Sequence, residues 1–186
     1  MNYVSPVNTG TIARRAEGSK ARGKAAERTL IVTGLARSGT SMLAAVLRRA
    51  GVFMGEQLYE TVDEDAQMLA VLRSGSDWLL RALIERRNLD NRVWGFKLPD
   101  LHTMLTAERV AWFRNPRLVV VFRDPVAVAV RGALSERQDE FRDMMGICGG
   151  IGAIARFAEA AECPALLVSY EKALAFPERT VATLLD

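Results

Sequence analysis

A short apolar run, Leu30-Ile31-Val32-Thr33, leads straight into Gly34-Leu35-Ala36-Arg37-Ser38-Gly39-Thr40-Ser41, and a helical pattern takes over at once. The run has the length and β-branched content of a buried strand. From Thr40 to Ala50, Leu43, Val46 and Leu47 fall on one helical face, Arg48-Arg49 close the last turn, and Gly51 stops the helix. A buried strand that passes through a glycine-bracketed loop into an amphipathic helix requires layered α/β architecture, because strand and helix must each cover the other's apolar face.

The rest of the chain repeats the alternation. Val93-Trp94-Gly95-Phe96, Leu118-Val119-Val120-Val121-Phe122 and Ala165-Leu166-Leu167-Val168 read as further strands. Residues 63–73 and 76–87 read as helices capped by Asp63 and Ser76, residues 100–112 as a helix after Pro99, and residues 138–161 as a helix broken by glycines at 149–152. Asp124-Pro125 supplies the cap and first position of a helix after the strongest strand, and residues 177–185 form a last helix. The expected fold is α/β, a parallel sheet flanked by helices. In such sheets ligands bind beyond the carboxyl ends of the strands, which selects the polar residues that matter. Arg114-Asn115-Pro116 precedes its strand and so lies at the wrong edge.

With 186 residues the chain holds one such domain, and no apolar run reaches the ~20 residues of a membrane span. Two cysteines, Cys148 and Cys163, and a single histidine, His102, rule out a disulfide scaffold and a His-rich metal centre. The net charge of +3 comes from residues 1–28, which carry six basic and two acidic groups; the body, 29–186, is nearly neutral. The basic pI therefore does not describe a nucleic-acid-binding surface. Residues 1–28 are poor in large apolar side chains and lack a secretory h-region, so they read as a disordered basic tail on a cytoplasmic domain.

The loop fits a Walker A pattern in both glycines, the final hydroxyl and its strand–helix context, but Thr40 stands where the lysine belongs. Successive backbone amides and a helix N-terminus still favour an anion there. The cation has moved to Arg37, and the LVVVF strand ends in Arg123 before Asp124, unlike a Walker B strand that ends in a metal-binding Asp. Two cationic anion sites at neighbouring strand ends suit a ligand with two separated phosphates and call for no metal.

At these residues the chain resembles the sulfotransferases that use 3′-phosphoadenosine 5′-phosphosulfate (PAPS), as a short, bacterial-type member. Ala36-Arg37-Ser38-Gly39-Thr40-Ser41 is similar to the family's 5′-phosphosulfate loop and Arg123-Asp124-Pro125 to its 3′-phosphate motif; Trp94-Gly95-Phe96-Lys97-Leu98-Pro99 and Tyr170-Glu171 are smaller echoes. The resemblance implies a P-loop-like fold and metal-free sulfuryl transfer from PAPS to a hydroxyl or amine, releasing 3′,5′-ADP. It implies that Arg37, Ser38, Gly39, Thr40 and Ser41 hold the phosphosulfate and that Arg123 holds the 3′-phosphate. The family commonly has Ser eight residues after the motif arginine; here Arg131 occupies that place, either on the same phosphate or as an ordinary helix charge. Many members also carry a longer C-terminal part with a Gly- and Arg/Lys-containing cofactor segment, and this sequence ends at Asp186 without one.

The acceptor must lose a proton, so a general base is expected. Some members use a His two residues after a Lys. The similar lysine is Lys97, but Pro99 fills that position and His102 lies five residues on. Others use a Glu after the loop; Glu56, Glu60, Glu64 and Asp65 fall in that region, and Glu64-Asp65 resembles the family's pair, although acids in a first helical turn also serve the dipole alone. Arg37, Glu64 and His102 are thus the catalytic candidates. The methionines, Trp78, Trp94, Trp112 and Cys148 read as packing residues. The acceptor, a small molecule, carbohydrate or lipid, is left open, as is the oligomeric state. A degenerate P-loop kinase or NTPase and a non-catalytic nucleotide-binding protein are the competing readings.

Overall fold

The computed structural model describes residues 10–14, 27–56, 58–59, 63–136 and 140–185. In chain order the elements are β1 (Thr11–Arg14), β2 (Arg28–Gly34), α1 (Thr40–Arg49), β3 (Leu58–Tyr59), β4 (Glu64–Asp65), α2 (Ala66–Ser74), α3 (Asp77–Asp90), β5 (Val93–Lys97), a 3-10 turn (Leu101–Thr103), α4 (Ala107–Val110), β6 (Pro116–Phe122), α5 (Pro125–Glu136), α6 (Glu140–Ala160), β7 (Ala165–Ser169), α7 (Tyr170–Ala175) and α8 (Pro177–Leu185).

The main sheet has the order β1-β7-β6-β2-β5, with β5, β2, β6 and β7 parallel and β1 antiparallel on the edge. From β2, which lies between β6 and β5, the chain goes to β5 on one side, then crosses to β6 and β7 on the other. The connection reverses at the carboxyl ends of β2 and β6, where α/β sheets open a ligand crevice.

Successive strand residues face opposite layers. Ile31, Leu118 and Val120 pack with Met68, Leu72, Leu80, Ile84, Ile154 and Phe157 from α2, α3 and α6. Leu30, Val32, Val119 and Val121 pack with Leu43, Leu47, Ala173 and Leu184 from α1, α7 and α8. Both faces are covered, which explains why the strands read as continuous apolar runs. Trp94, Phe96 and Phe113 fill the first layer with ring centroids 5.5 to 6.3 Å apart.

Several expectations are corrected. The sequence predicts a disordered tail over residues 1–28, yet Thr11–Arg14 adds to the free edge of β7. The β-branched Thr11-Ile12 suits an edge strand, and the Arg14 guanidinium donates to the carbonyls of Ala158, Glu159 and Cys163, each at 2.8 Å, meeting the orphan acceptors at the end of α6. Residues 1–9 and 15–26, and Glu60, lie outside the described residues. The cap of α2 is Asp65, whose carboxylate accepts from the Met68 amide at 2.9 Å, rather than Asp63; Ser76 caps α3 as expected. The expected helix over 100–112 divides into the 3-10 turn and α4, because Asp100 takes a left-handed φ of 51° and Thr106 caps a new start. Helix α6 runs unbroken through its glycines, and at Gly150 it packs so closely on Leu35 that a Cβ would come within 2.7 Å of that side chain's tip and displace it. Trp78 and Met145 are 74% and 80% exposed and Cys148 is also exposed, so these three are not packing residues.

Candidate functional site

The loop after β2 is built from two left-handed residues, Arg37 at φ 67° and Gly39 at φ 97°. Alternation of this kind turns consecutive amides toward one point, an anion-binding concavity. Gly39 is the N-cap of α1, and no acid stands in the first turn to oppose the positive helix end. Glycine is obligatory at 39 for a second reason: a Cβ would fall 2.2 Å from the Tyr170 ring. At Gly34 a Cβ would come within 2.6 Å of both the Ser38 hydroxyl and the Val121 carbonyl.

Two strand ends support the loop. From β6, Arg123 Nη1 donates to the Arg37 carbonyl at 3.0 Å while its guanidinium lies 4.7 Å over the Tyr170 ring. From the β5 side, the Asp100 carboxylate accepts from the Ala36 amide at 3.3 Å, and the Asp100 amide donates to the Gly34 carbonyl at 2.9 Å. Asp124 acts as the expected cap: its carboxylate accepts from the Ala127 amide at 2.9 Å, and its own amide donates to Glu171 at 3.0 Å.

Two polar atoms in this crevice are buried without a hydrogen-bond partner, the Ser38 hydroxyl and Arg123 Nε. A buried donor without a partner costs free energy unless an acceptor meets it, and a phosphate or sulfate oxygen is an acceptor of the kind each would take. The donors present are of the kind that an anionic group takes.

The structure brings Arg37, Ser38, Gly39, Thr40, Ser41 and Arg123 together around this crevice. The Arg37 side chain is exposed, while Ser38 and Thr40 are buried. Arg131 is exposed on α5, six residues beyond its start, about 9 Å along the axis. Arg114 lies at the amino edge, bound to the Asn88, Asn91 and Arg92 carbonyls, so it belongs to the scaffold.

A second cluster adjoins the loop at the carboxyl end of β5. Lys97 is 1% exposed and pairs with Glu64 at 3.5 Å; burial pushes its ammonium below the usual lysine value, against the pull of Glu64 and Asp63. Burial also pushes the Asp100 carboxyl above the ordinary aspartate value; the Ala36 amide and His102 oppose this and the Glu64 charge adds to it. His102 Nδ1 is buried without a hydrogen bond. Both expected base candidates, Glu64 and His102, thus flank Asp100. Asp65 does not join them: it is fully buried, bonded to both terminal nitrogens of Arg87, and holds α2 to α3.

Sequence reasoning missed Asp100 and the part played by Tyr170. The available signal was position, since both follow strand ends at the ligand edge.

No protein-family model matches the chain, and no curated protein matches it. Among solved structures it is similar to shikimate kinase from Bacteroides thetaiotaomicron, with 15% identity over 86% of this chain and 99% of that one, at a TM-score of 0.52. The Thermus thermophilus protein TT1252 aligns over 86% of this chain and 98% of its own at 14% identity and a TM-score of 0.47. The likeness to the kinase shows the fold: a mostly parallel five-stranded α/β sheet flanked by helices, of the kind found in P-loop kinases. Among the described residues no helix is long and apolar enough to cross a membrane.

Proposed function

We propose that the protein is a cytoplasmic nucleotide-dependent group transferase whose loop and β6 end hold a nucleotide with two separated anionic groups, and that it moves the sulfuryl group of PAPS to a hydroxyl or amine acceptor. One observation carries this reading. Arg123, at the end of β6, donates to the Arg37 carbonyl and so braces the loop, while the loop lysine that a triphosphate needs is absent. When bound, PAPS would supply an activated sulfuryl group for in-line displacement. The loop amides and the α1 N-terminus would orient its 5′ end, and Arg37 would stabilise the charge that grows on the bridging oxygen. Arg123, with Arg131 further along α5, would take the 3′-phosphate.

The second reading is a P-loop kinase acting on a nucleoside triphosphate. The fold comparison favours it, because a similar solved structure is a shikimate kinase. The residues speak for the first: Thr40 replaces the lysine, and Asp124 is spent on capping α5.

Calorimetry separates the two. Under the first reading 3′,5′-ADP binds more tightly than 5′-AMP by about ten- to a hundredfold, the worth of one charge-assisted pair at Arg123. Arg123→Ala levels the two, and Arg114→Ala does not. Equal affinities for 3′,5′-ADP and 5′-AMP, with Mg²⁺-dependent ATP turnover, would establish the kinase instead.

A further inference from the structure

We infer that Asp100 is the general base of the transfer, the carboxylate that takes the acceptor's proton, with Lys97, Glu64 and His102 as its surroundings. The inference rests on the sulfuryl-transfer reading and deepens it.

Three placements single out Asp100. First, its carboxylate touches the anion loop itself, through Oδ2 on the Ala36 amide, whereas Glu64 is engaged by the Lys97 ammonium. Asp100 follows β5 and so stands beside the loop that would hold the sulfonate. Second, the residue adopts a left-handed φ of 51°, a conformation disfavoured by roughly 1–2 kcal/mol for a residue with a Cβ. Strain of this kind, held by the Asp100 amide on the Gly34 carbonyl and by the Thr103 hydroxyl and amide on the Asp100 carbonyl, aims the side chain back at the loop. Third, the groups around it are arranged for proton transfer. Burial raises its proton affinity, the neighbouring Glu64 charge adds to that, and the His102 imidazole with its unbonded, buried Nδ1 shares the same turn. The charged groups that bear on Asp100 are Glu64 from β4 and His102 from the 3-10 turn; Lys97 from β5 is paired with that same Glu64.

Asp100 Oδ1 accepts the proton of the acceptor O–H or N–H, and the freed electron pair forms the new bond to sulfur. The bond between sulfur and the bridging oxygen breaks, and its electrons leave on the 5′-phosphate of 3′,5′-ADP.

The test uses the full chain, PAPS, and a panel of simple alcohols and amines with water as the default acceptor, reading release of 3′,5′-ADP. Asp100→Asn and Asp100→Gly both suit a left-handed backbone, so both should fold. Each should cut turnover by the ~10²–10⁴-fold of a lost general base, with affinity for 3′,5′-ADP kept within a few-fold. The acid limb of the pH–rate profile should vanish, and formate should restore part of the rate in Asp100→Gly but not in the parent protein. Melting temperature gives a second readout. A carboxyl whose folded pKa is raised binds more protons folded than unfolded, so it costs stability increasingly as pH rises from about 3.9 through the folded value. Asp100→Asn should therefore melt no lower than the parent at pH 7, with any gain shrinking toward pH 4. Unchanged turnover, an unchanged acid limb, or a parallel loss of 3′,5′-ADP affinity and stability would overturn the assignment. A parent protein that binds 3′,5′-ADP no better than 5′-AMP would instead overturn the sulfuryl-transfer reading, and the base with it.

Discussion

Arg37 carries two burdens that can be separated. Its backbone turns the loop through a left-handed residue, and its side chain offers a cation that the helix end alone does not provide. Replacement by glycine removes the charge and also relieves the backbone, whereas alanine removes the charge and keeps the strain. Both variants should lose about 10²–10³-fold in turnover, the scale for one transition-state donor, while 3′,5′-ADP affinity falls far less because the amides remain. Arg37→Gly should also melt higher than Arg37→Ala, by roughly 1 kcal/mol in stability. Equal turnover in parent and variants would remove Arg37 from the chemistry. The sequence singles this residue out, since a cation between two glycines after a buried strand has few structural duties. The contact of its carbonyl with Arg123 was not legible, because it joins residues 86 positions apart.

The elements show where sequence patterns inform and where they fail. β2, β5, β6 and β7 were readable because each is a short apolar run buried on both faces. β1 was not, because its burial is slight and its reward is hydrogen bonding: Ile12 is 67% exposed, while Arg14 closes the end of α6. Composition measures apolar content and cannot see three carbonyls waiting for a guanidinium. Arg14→Ala should therefore cost roughly 1–3 kcal/mol, about 2–10 °C in melting temperature. Removal of residues 1–14 should do at least as much and leave the β7 edge bare, readable as self-association by size exclusion. A melting curve unmoved by Arg14→Ala would return this segment to the status of a tail. The Glu64-Asp65 pair divides between two roles. Adjacent residues of one strand face opposite ways, so one acid reaches Lys97 at the site and the other is buried on Arg87.

Over the whole molecule, the order of the sheet decides how far an event at the loop travels. The loop hangs from β2, and its supports stand on opposite flanks of that strand: Asp100 beyond β5 and Arg123 beyond β6. Among the described residues, the sheet's hydrogen bonds join those flanks at this edge through β2. An anion seated among the loop amides would pull on both supports at once and act as a rivet across the crossover. Ligand at a hundred times its dissociation constant contributes about 2.7 kcal/mol, and that stabilisation would be shared by the two sides. Amide hydrogen exchange should then slow together at Leu98 and Asp100, bonded to Val32 and Gly34, and at Asp124 and Val128 on the opposite flank. Slowing on one flank only would mean that the halves of the sheet breathe independently. If both respond, the small molecule that supplies the reacting group also sets how tightly this domain is laced.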